Sequence, residues 1–194
     1  MPKDAQSDHE LMRRCALGEE TAFEEIVRRY QQPIVDYLCR LVGSSSRAEE
    51  LGQEVFLRVY RHRDSYTRTA GFSTWCYTIA TNLARDERRA RKRRPPGAGS
   101  EPLEGLPATG MEPSAPLEVR ELGDLVRRAL DQIPEHYREA LTLRDLQGCS
   151  YQEIAQVLEM EIGTVKSRIN RARLAFKDSF AALGGVAAEE MEEA

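Results

Sequence analysis

Apolar positions recur every three or four residues through most of this 194-residue chain, and a two-residue alternation persists nowhere. That periodicity predicts helices and no sheet. The first strong run is Glu19 to Val42, where Phe23, Ile26, Val27, Tyr30, Ile34, Leu38, Leu41 and Val42 share a face. Pro33 lies inside it and predicts a kink or a break. Gly43-Ser44-Ser45-Ser46 ends the run. Ser46 followed by Glu49 has capping-box spacing, which predicts a helix from Arg47 to about Arg61. Ala48, Leu51, Val55 and Val59 line its inner side, leaving Glu50, Gln53, Glu54 and Arg58 outside. On spacing alone that outer face reads as solvated surface. The polar stretch His62 to Gly71 reads as a loop. A third helix then runs from Phe72 to about Lys92. Trp75, Cys76, Ile79, Ala80 and Leu83 fall on one side of it; Tyr77, Thr78, Thr81, Arg85, Arg88 and Arg89 fall on the other, with Asn82 near the border.

Pro95 to Pro116, PPGAGSEPLEGLPATGMEPSAP, is too rich in Pro, Gly, Ala and Ser to build a core and predicts a flexible linker. Helical periodicity resumes at Leu117, with Val119, Leu122, Leu125, Val126 and Leu130 on one face. Pro134 suits the first turn of the next helix, which should reach about Leu146 with Tyr137, Ala140, Leu141 and Leu143 inward. Ser150 and Glu153 form another capping box. Behind it Ile154, Ala155 and Leu158 face inward, Met160 to Gly163 turn the chain, and Val165, Ile169 and Ala172 anchor a further helix. The expected organisation is all-α, with two small helical domains at 1–94 and 117–183, a flexible linker at 95–116 and an acidic tail at 184–194. Residues before about Asp8 read as a disordered lead-in.

Charge adds a distribution rather than a sum. Lys plus Arg is 28 and Asp plus Glu is 32, a net charge of −4, which argues against a protein that coats nucleic acid indiscriminately. Yet Arg85 to Arg94, RDERRARKRR, is strongly basic and follows an aromatic and several hydroxyls along one helix. Basic groups track phosphates, and flat rings stack on unpaired bases. A core role for Trp75 and a solvated tail for the basic run are the plainer alternatives. The helix pair around 151–170 leaves Lys166, Ser167, Asn170, Arg171 and Arg173 on open faces. This is what a recognition helix of a helix-turn-helix requires; an ordinary amphipathic pair with a solvated basic face is the alternative.

Cys15, Cys39, Cys76 and Cys149 form no CxxC pair, and His9, His62 and His136 stand apart from them at no metal-ligand spacing. Reduced thiols with no metal and no cofactor are expected. No apolar run approaches the ~20 residues that cross a bilayer, and the N-terminus lacks a signal-peptide core, so a cytoplasmic location without membrane insertion is expected. No phosphate loop, nucleophile–base pair or metal cluster suggests an enzyme.

Three motifs stand in order along the chain: AEELGQEVFLRVYR, FSTWCYTIATNLARDERR, and SYQEIAQVL with GTVKSRINRAR. Together they resemble bacterial sigma factors of the extracytoplasmic-function (ECF) group, within the sigma-70 family. The resemblance implies a protein that binds core RNA polymerase and directs promoter-specific transcription initiation without itself catalysing phosphoryl transfer. The alternative is a helix-turn-helix transcriptional regulator that acts without polymerase.

The resemblance also implies roles. The first domain would be sigma region 2, gripping the polymerase clamp coiled coil through Glu50, Gln53, Glu54 and Arg58. Its loop, with Asp64, Ser65 and Tyr66, would take a flipped base of the minus-ten element. Trp75, Tyr77, Thr78, Asn82, Arg85, Arg88 and Arg89 would follow the opened strand. The second domain would be sigma region 4, reaching the polymerase flap and reading the minus-thirty-five duplex. Lys166, Ser167, Asn170 and Arg171 match base-facing positions, while Thr164, Arg168 and Arg173 suit phosphates. An anti-sigma factor is an implied partner. The linker would thread toward the polymerase active site. Two positions depart from the pattern. Housekeeping sigma factors carry adjacent tryptophans where this chain has Thr78 and Ile79, which implies weaker intrinsic melting. Glu159 occupies a turn position often held by glycine, where a left-handed backbone strains other residues.

Overall fold

The computed structural model describes residues 7–67, 71–93 and 116–185, and among these every regular element is helical. The lead-in, most of the linker and most of the acidic tail lie outside the described residues.

Helix α1, Asp8–Ala16, starts on Ser7, whose hydroxyl accepts from the Glu10 N–H. The sequence pattern had begun only at Glu19, because α1 is short and turns just Leu11, Met12 and Cys15 inward. Helix α2, Glu20–Val42, runs through Pro33 as one element rather than splitting. Buried Ile34, Tyr37 and Leu38 hold the segment after the proline, which outweighs one missing backbone hydrogen bond. Gly43 closes α2 with φ 73°, a left-handed conformation that glycine adopts without penalty.

Helix α3, Ser45–Arg61, begins earlier than the expected box at Ser46 and Glu49. Ser44 is the cap, accepting from the Arg47 N–H at 3.3 Å. The left-handed Gly43 leaves Ser44 extended, so the helix nucleates there. A Cβ on Gly52 would stand 2.9 Å from Val35 Cγ2; the bare glycine lets α3 close on α2. A 3-10 turn at Arg63–Ser65 leads toward α4, Phe72–Arg93.

In the second half, α5 spans Leu117–Gln132, α6 Glu135–Leu141, α7 Tyr151–Leu158 and α8 Ile162–Ala182. Pro134 caps α6, and the expected long helix changes at Thr142–Leu146 to a widened π-helical turn. Val119 and Leu122 of α5, expected inward, are exposed; α5 is covered only toward its C-terminal end, at Ala129 and Leu130. The α7 capping box is complete, with Glu153 N–H donating to Ser150 Oγ at 3.2 Å and Ser150 N–H to Glu153 Oε2 at 2.8 Å. Between α7 and α8, Glu159 takes φ 54° and ψ 55°, and it is the one non-glycine residue with positive φ among those described. The strained turn expected at Glu159 is therefore present.

The main core gathers Ile26, Tyr37, Leu38, Val55 and Phe72 from α2, α3 and α4, then continues through Leu143, Ile154 and Val157 of the second half. Helix α7 packs directly on α4. A smaller cluster of Leu130, Ile133, Leu141 and Ala172 stabilises α5, α6 and α8.

Candidate nucleic-acid interface

Helix α8 rests on Val165, Ile169 and Ala172, all buried, and this fixes what stands opposite. Thr164, Lys166, Ser167, Asn170 and Arg171 are exposed along the other side, and Arg168 is half-buried beside them. Ser167 Oγ donates back to the Thr164 carbonyl at 3.0 Å, so the hydroxyl is oriented by its own helix. Lys166 Nζ lies 5.9 Å from the Tyr151 ring centroid. Arg173 is engaged elsewhere: its Nε and Nη2 donate to Asp145 at 2.9 and 2.5 Å, which raises the guanidinium pKa from its ordinary value. The geometry leaves one exposed polar stripe on a helix with a packed underside, of a size that enters a major groove.

The expected strand-binding face of α4 is less open. Trp75 is half-buried in an aromatic group, 5.3 Å from the Tyr66 ring and 6.1 Å from Phe72. The Tyr66 hydroxyl shares a 2.8 Å hydrogen bond with His9 Nδ1, so the loop's aromatic residue is pinned between α1 and α4. Asp64 and Ser65 are exposed at the tip of that loop. Thr78 is half-buried, its hydroxyl donating to the Thr74 carbonyl at 2.8 Å. Asn82 and Arg89 are exposed, and Arg89 pairs with Asp86 at 2.5 Å on its own helix.

Tyr77 lies elsewhere than expected, 4% exposed, with Tyr37 edge-on to its ring and its hydroxyl donating to Gln147 Oε1 at 2.7 Å. Burial pushes its phenol pKa well up. Thr81 is fully buried too, with its hydroxyl against that of Tyr37 on α2 at 2.8 Å, in a helix on which α2, α3 and α7 all pack. Arg85 donates to both oxygens of Glu139 on α6, at 3.0 and 2.7 Å, and that hydrogen-bonded pair raises its pKa. Arg88 reaches Glu139 at 3.2 Å and also pairs with Glu135. The structure thus brings Tyr77, Arg85 and Arg88 together, but against the second domain rather than toward solvent.

On α3, Gln53 is exposed, Glu54 and Arg58 pair at 2.8 Å, and Glu50 pairs with Arg47. Arg47 also donates to Glu87 at 2.8 and 2.6 Å, fixing α3 to α4. Beside Gln53 runs a groove of about 780 Å³ between α2 and α3, lined by Phe23, Val27, Phe56, Leu57 and Tyr60 among others. Leu57 is 49% exposed and Tyr60 38%. Both fall outside the inward periodicity of α3, and that exception was the available sequence signal.

Among the described residues no group of His, Cys, Asp and Glu is placed to hold a metal, and no helix is long and apolar enough to cross a membrane. All four cysteines are free thiols and buried.

Family models match both halves of the chain: Sigma-70 region 2 over residues 26–94, and Sigma-70, region 4 over residues 123–176. The RNA polymerase sigma-H factor of Pseudomonas aeruginosa is 36% identical over 175 residues, covering 87% of this chain and 91% of that protein. The ECF RNA polymerase sigma-E factor of Escherichia coli K12 is 36% identical over 174 residues, covering 86% and 91%. Two solved structures share the fold. CnrH, bound to the cytosolic domain of CnrY, superposes with a TM-score of 0.71 at 22% identity over 91% of this chain and 99% of that one. The sigma factor RpoE of Bartonella quintana, bound to the anti-sigma factor NepR, gives 0.68 at 23% over 82% and 96%. With regions 2 and 4 in order on one helical chain, this protein belongs to the sigma-70 family, in its extracytoplasmic-function group.

Proposed function

We propose that the chain is a promoter-specificity subunit: it binds core RNA polymerase and directs initiation at its own set of promoters. The observation that carries this reading is the presence, on one chain, of an exposed polar stripe on α8 and an aromatic-basic face on α4. The first suits duplex DNA and the second suits an opened strand. Lys166, Ser167, Asn170 and Arg171 read the minus-thirty-five bases, with Thr164 and Arg168, and Arg173 once it leaves Asp145, contacting phosphates. Asp64, Ser65 and Tyr66 take the flipped minus-ten base, while Trp75, Tyr77, Thr78, Asn82, Arg85, Arg88 and Arg89 line the path of that strand. Extracting a base costs a few kcal/mol of stacking, which the pocket and phosphate contacts offset. Glu50, Gln53, Glu54 and Arg58 face the polymerase clamp, with Leu57 and Tyr60 supplying apolar area in the adjoining groove. The α5–α8 domain serves the flap.

An anti-sigma factor is the natural regulator, since one structural relative was solved bound to such a partner. Phosphoryl transfer stays with the polymerase, and the site of action is the cytoplasm. Run-off transcription with core polymerase over a promoter library tests the reading. Transcripts from a defined promoter class are expected; DNA binding without any polymerase-dependent transcript would instead favour a polymerase-independent helix-turn-helix regulator.

A further inference from the structure

Beside the apolar core that the two domains share, the polar part of the seam is built mostly from side chains that the proposed function assigns to the opened strand. Tyr77 gives its hydroxyl to Gln147. Arg85 is held by both carboxylate oxygens of Glu139, Arg88 by Glu139 and Glu135, and Lys92 lies 3.7 Å from Glu135. Glu139 is 2% exposed, and its hydrogen-bond and ion-pair partners among the described residues, Arg85 and Arg88, are both on α4. A carboxylate withdrawn that far from water needs those guanidinium groups, so Glu139 is matched to α4. DNA phosphates and these two glutamates are competing anions for the same cations. By contrast Lys166, Asn170 and Arg171 on α8 remain exposed in the same arrangement.

We infer that the free chain is closed on itself in an asymmetric way: the second domain occludes the single-strand face of α4 while its own duplex-reading helix stays open. This rests on the α4 face being the strand site. Glu135 and Glu139 act as phosphate mimics on Arg85 and Arg88, and Gln147 occupies the Tyr77 hydroxyl. A closed chain engages duplex promoter DNA but takes up an opened strand only after the domains part. Whatever separates them, polymerase included, must break the Glu139 pairs.

The test compares the full chain with Glu135→Gln/Glu139→Gln. Small-angle scattering reads separation, and fluorescence anisotropy reads binding of a labelled single-stranded minus-ten oligonucleotide. The variant is expected to have a larger radius of gyration and to bind the oligonucleotide about tenfold more tightly, since apparent affinity scales with the open fraction. Glu118→Gln/Glu121→Gln, which removes the same charge from the exposed side of α5, should stay within about twofold of wild type, as screened distant charges do. Gln147→Ala leaves the ion pairs intact and should shift both readouts less, in the same direction; far-UV circular dichroism confirms that each variant keeps its helices. Unchanged dimensions and affinity in both seam variants overturn the inference, as does equal tightening by the α5 control. Run-off transcription runs in parallel. A gain in oligonucleotide binding with no transcript from any chain supports the occlusion and sinks the sigma reading instead.

Discussion

Glu139 of α6 receives both hydrogen bonds of the Arg85 guanidinium, at 3.0 and 2.7 Å, across the boundary between the two domains. A bidentate charged pair on a carboxylate so little exposed is costly to leave half-made. Arg85→Ala should therefore cost more stability than Arg89→Ala, whose partner Asp86 is mostly exposed. Urea unfolding of the two variants checks this, with a difference of about 2 kcal/mol expected for loss of a buried partner.

At the duplex-reading helix, Arg171 is exposed while Arg173 is held by Asp145. Arg171→Ala should weaken binding to the preferred duplex by about 1–3 kcal/mol and leave random-sequence binding nearly unchanged. Asp145→Ala should do the opposite, releasing Arg173 to tighten binding to all duplexes alike. Equal losses on both duplexes for Arg171→Ala would make it a phosphate contact.

Glu159 pays for its left-handed backbone with steric strain. Glu159→Gly should raise stability by about 1 kcal/mol, after allowing for glycine's greater freedom in the unfolded chain. Thermal unfolding measures it; a lower midpoint would mean that the Glu159 side chain contributes something the backbone does not reveal.

Thr78 presents a hydroxyl already bonded to Thr74 where stacking would be useful. Thr78→Trp should raise run-off transcription from promoters with mismatched minus-ten elements more than from consensus ones, because an indole stacks on unpaired bases. No change at mismatched promoters would remove Thr78 from the strand path.

Cys149 is buried next to the seam, and burial pushes its thiol up from 9.0 to about 11. Alkylation of the native chain at pH 8 should be slow at this site and become fast in urea, since the thiolate is the reactive form. The unfolded thiol ionises first, so the unfolded chain holds fewer protons between pH 9 and 11. This group's contribution to stability is therefore intact below pH 9 and lost as pH rises toward 11. Stability that rose across that window would contradict the burial.

Periodicity identified most of the long helices because their inward residues recur along a single face, whichever distant residues cover it. Val165, Ile169 and Ala172 were found this way, and so was the exposed stripe they leave. The Ser150–Glu153 box was equally plain, being a contact within four residues. Tyr77 was not, since its burial depends on Tyr37 and Gln147, far away in the chain. A helix packed against three others, as α4 is against α2, α3 and α7, has no single polar face for periodicity to reveal. Leu57 and Tyr60 were missed for the converse reason: apolar residues off the inward stripe are a signal only as exceptions, and the groove beside them gives that exception its meaning.

The Tyr37 hydroxyl donates to Thr81 Oγ1 at 2.8 Å, and Thr81 Oγ1 donates in turn to the Tyr77 carbonyl at 2.7 Å. With Thr81 fully buried, that relay keys α4 against α2 and prevents it from rolling about its own axis. Exposing the covered flank of α4 is therefore a hinge motion, with the N-terminal domain as the stationary frame and the α5–α8 body as the arm. The degree of freedom that matters is the angle between two rigid pieces, and torsion of the strand-binding helix does not enter it.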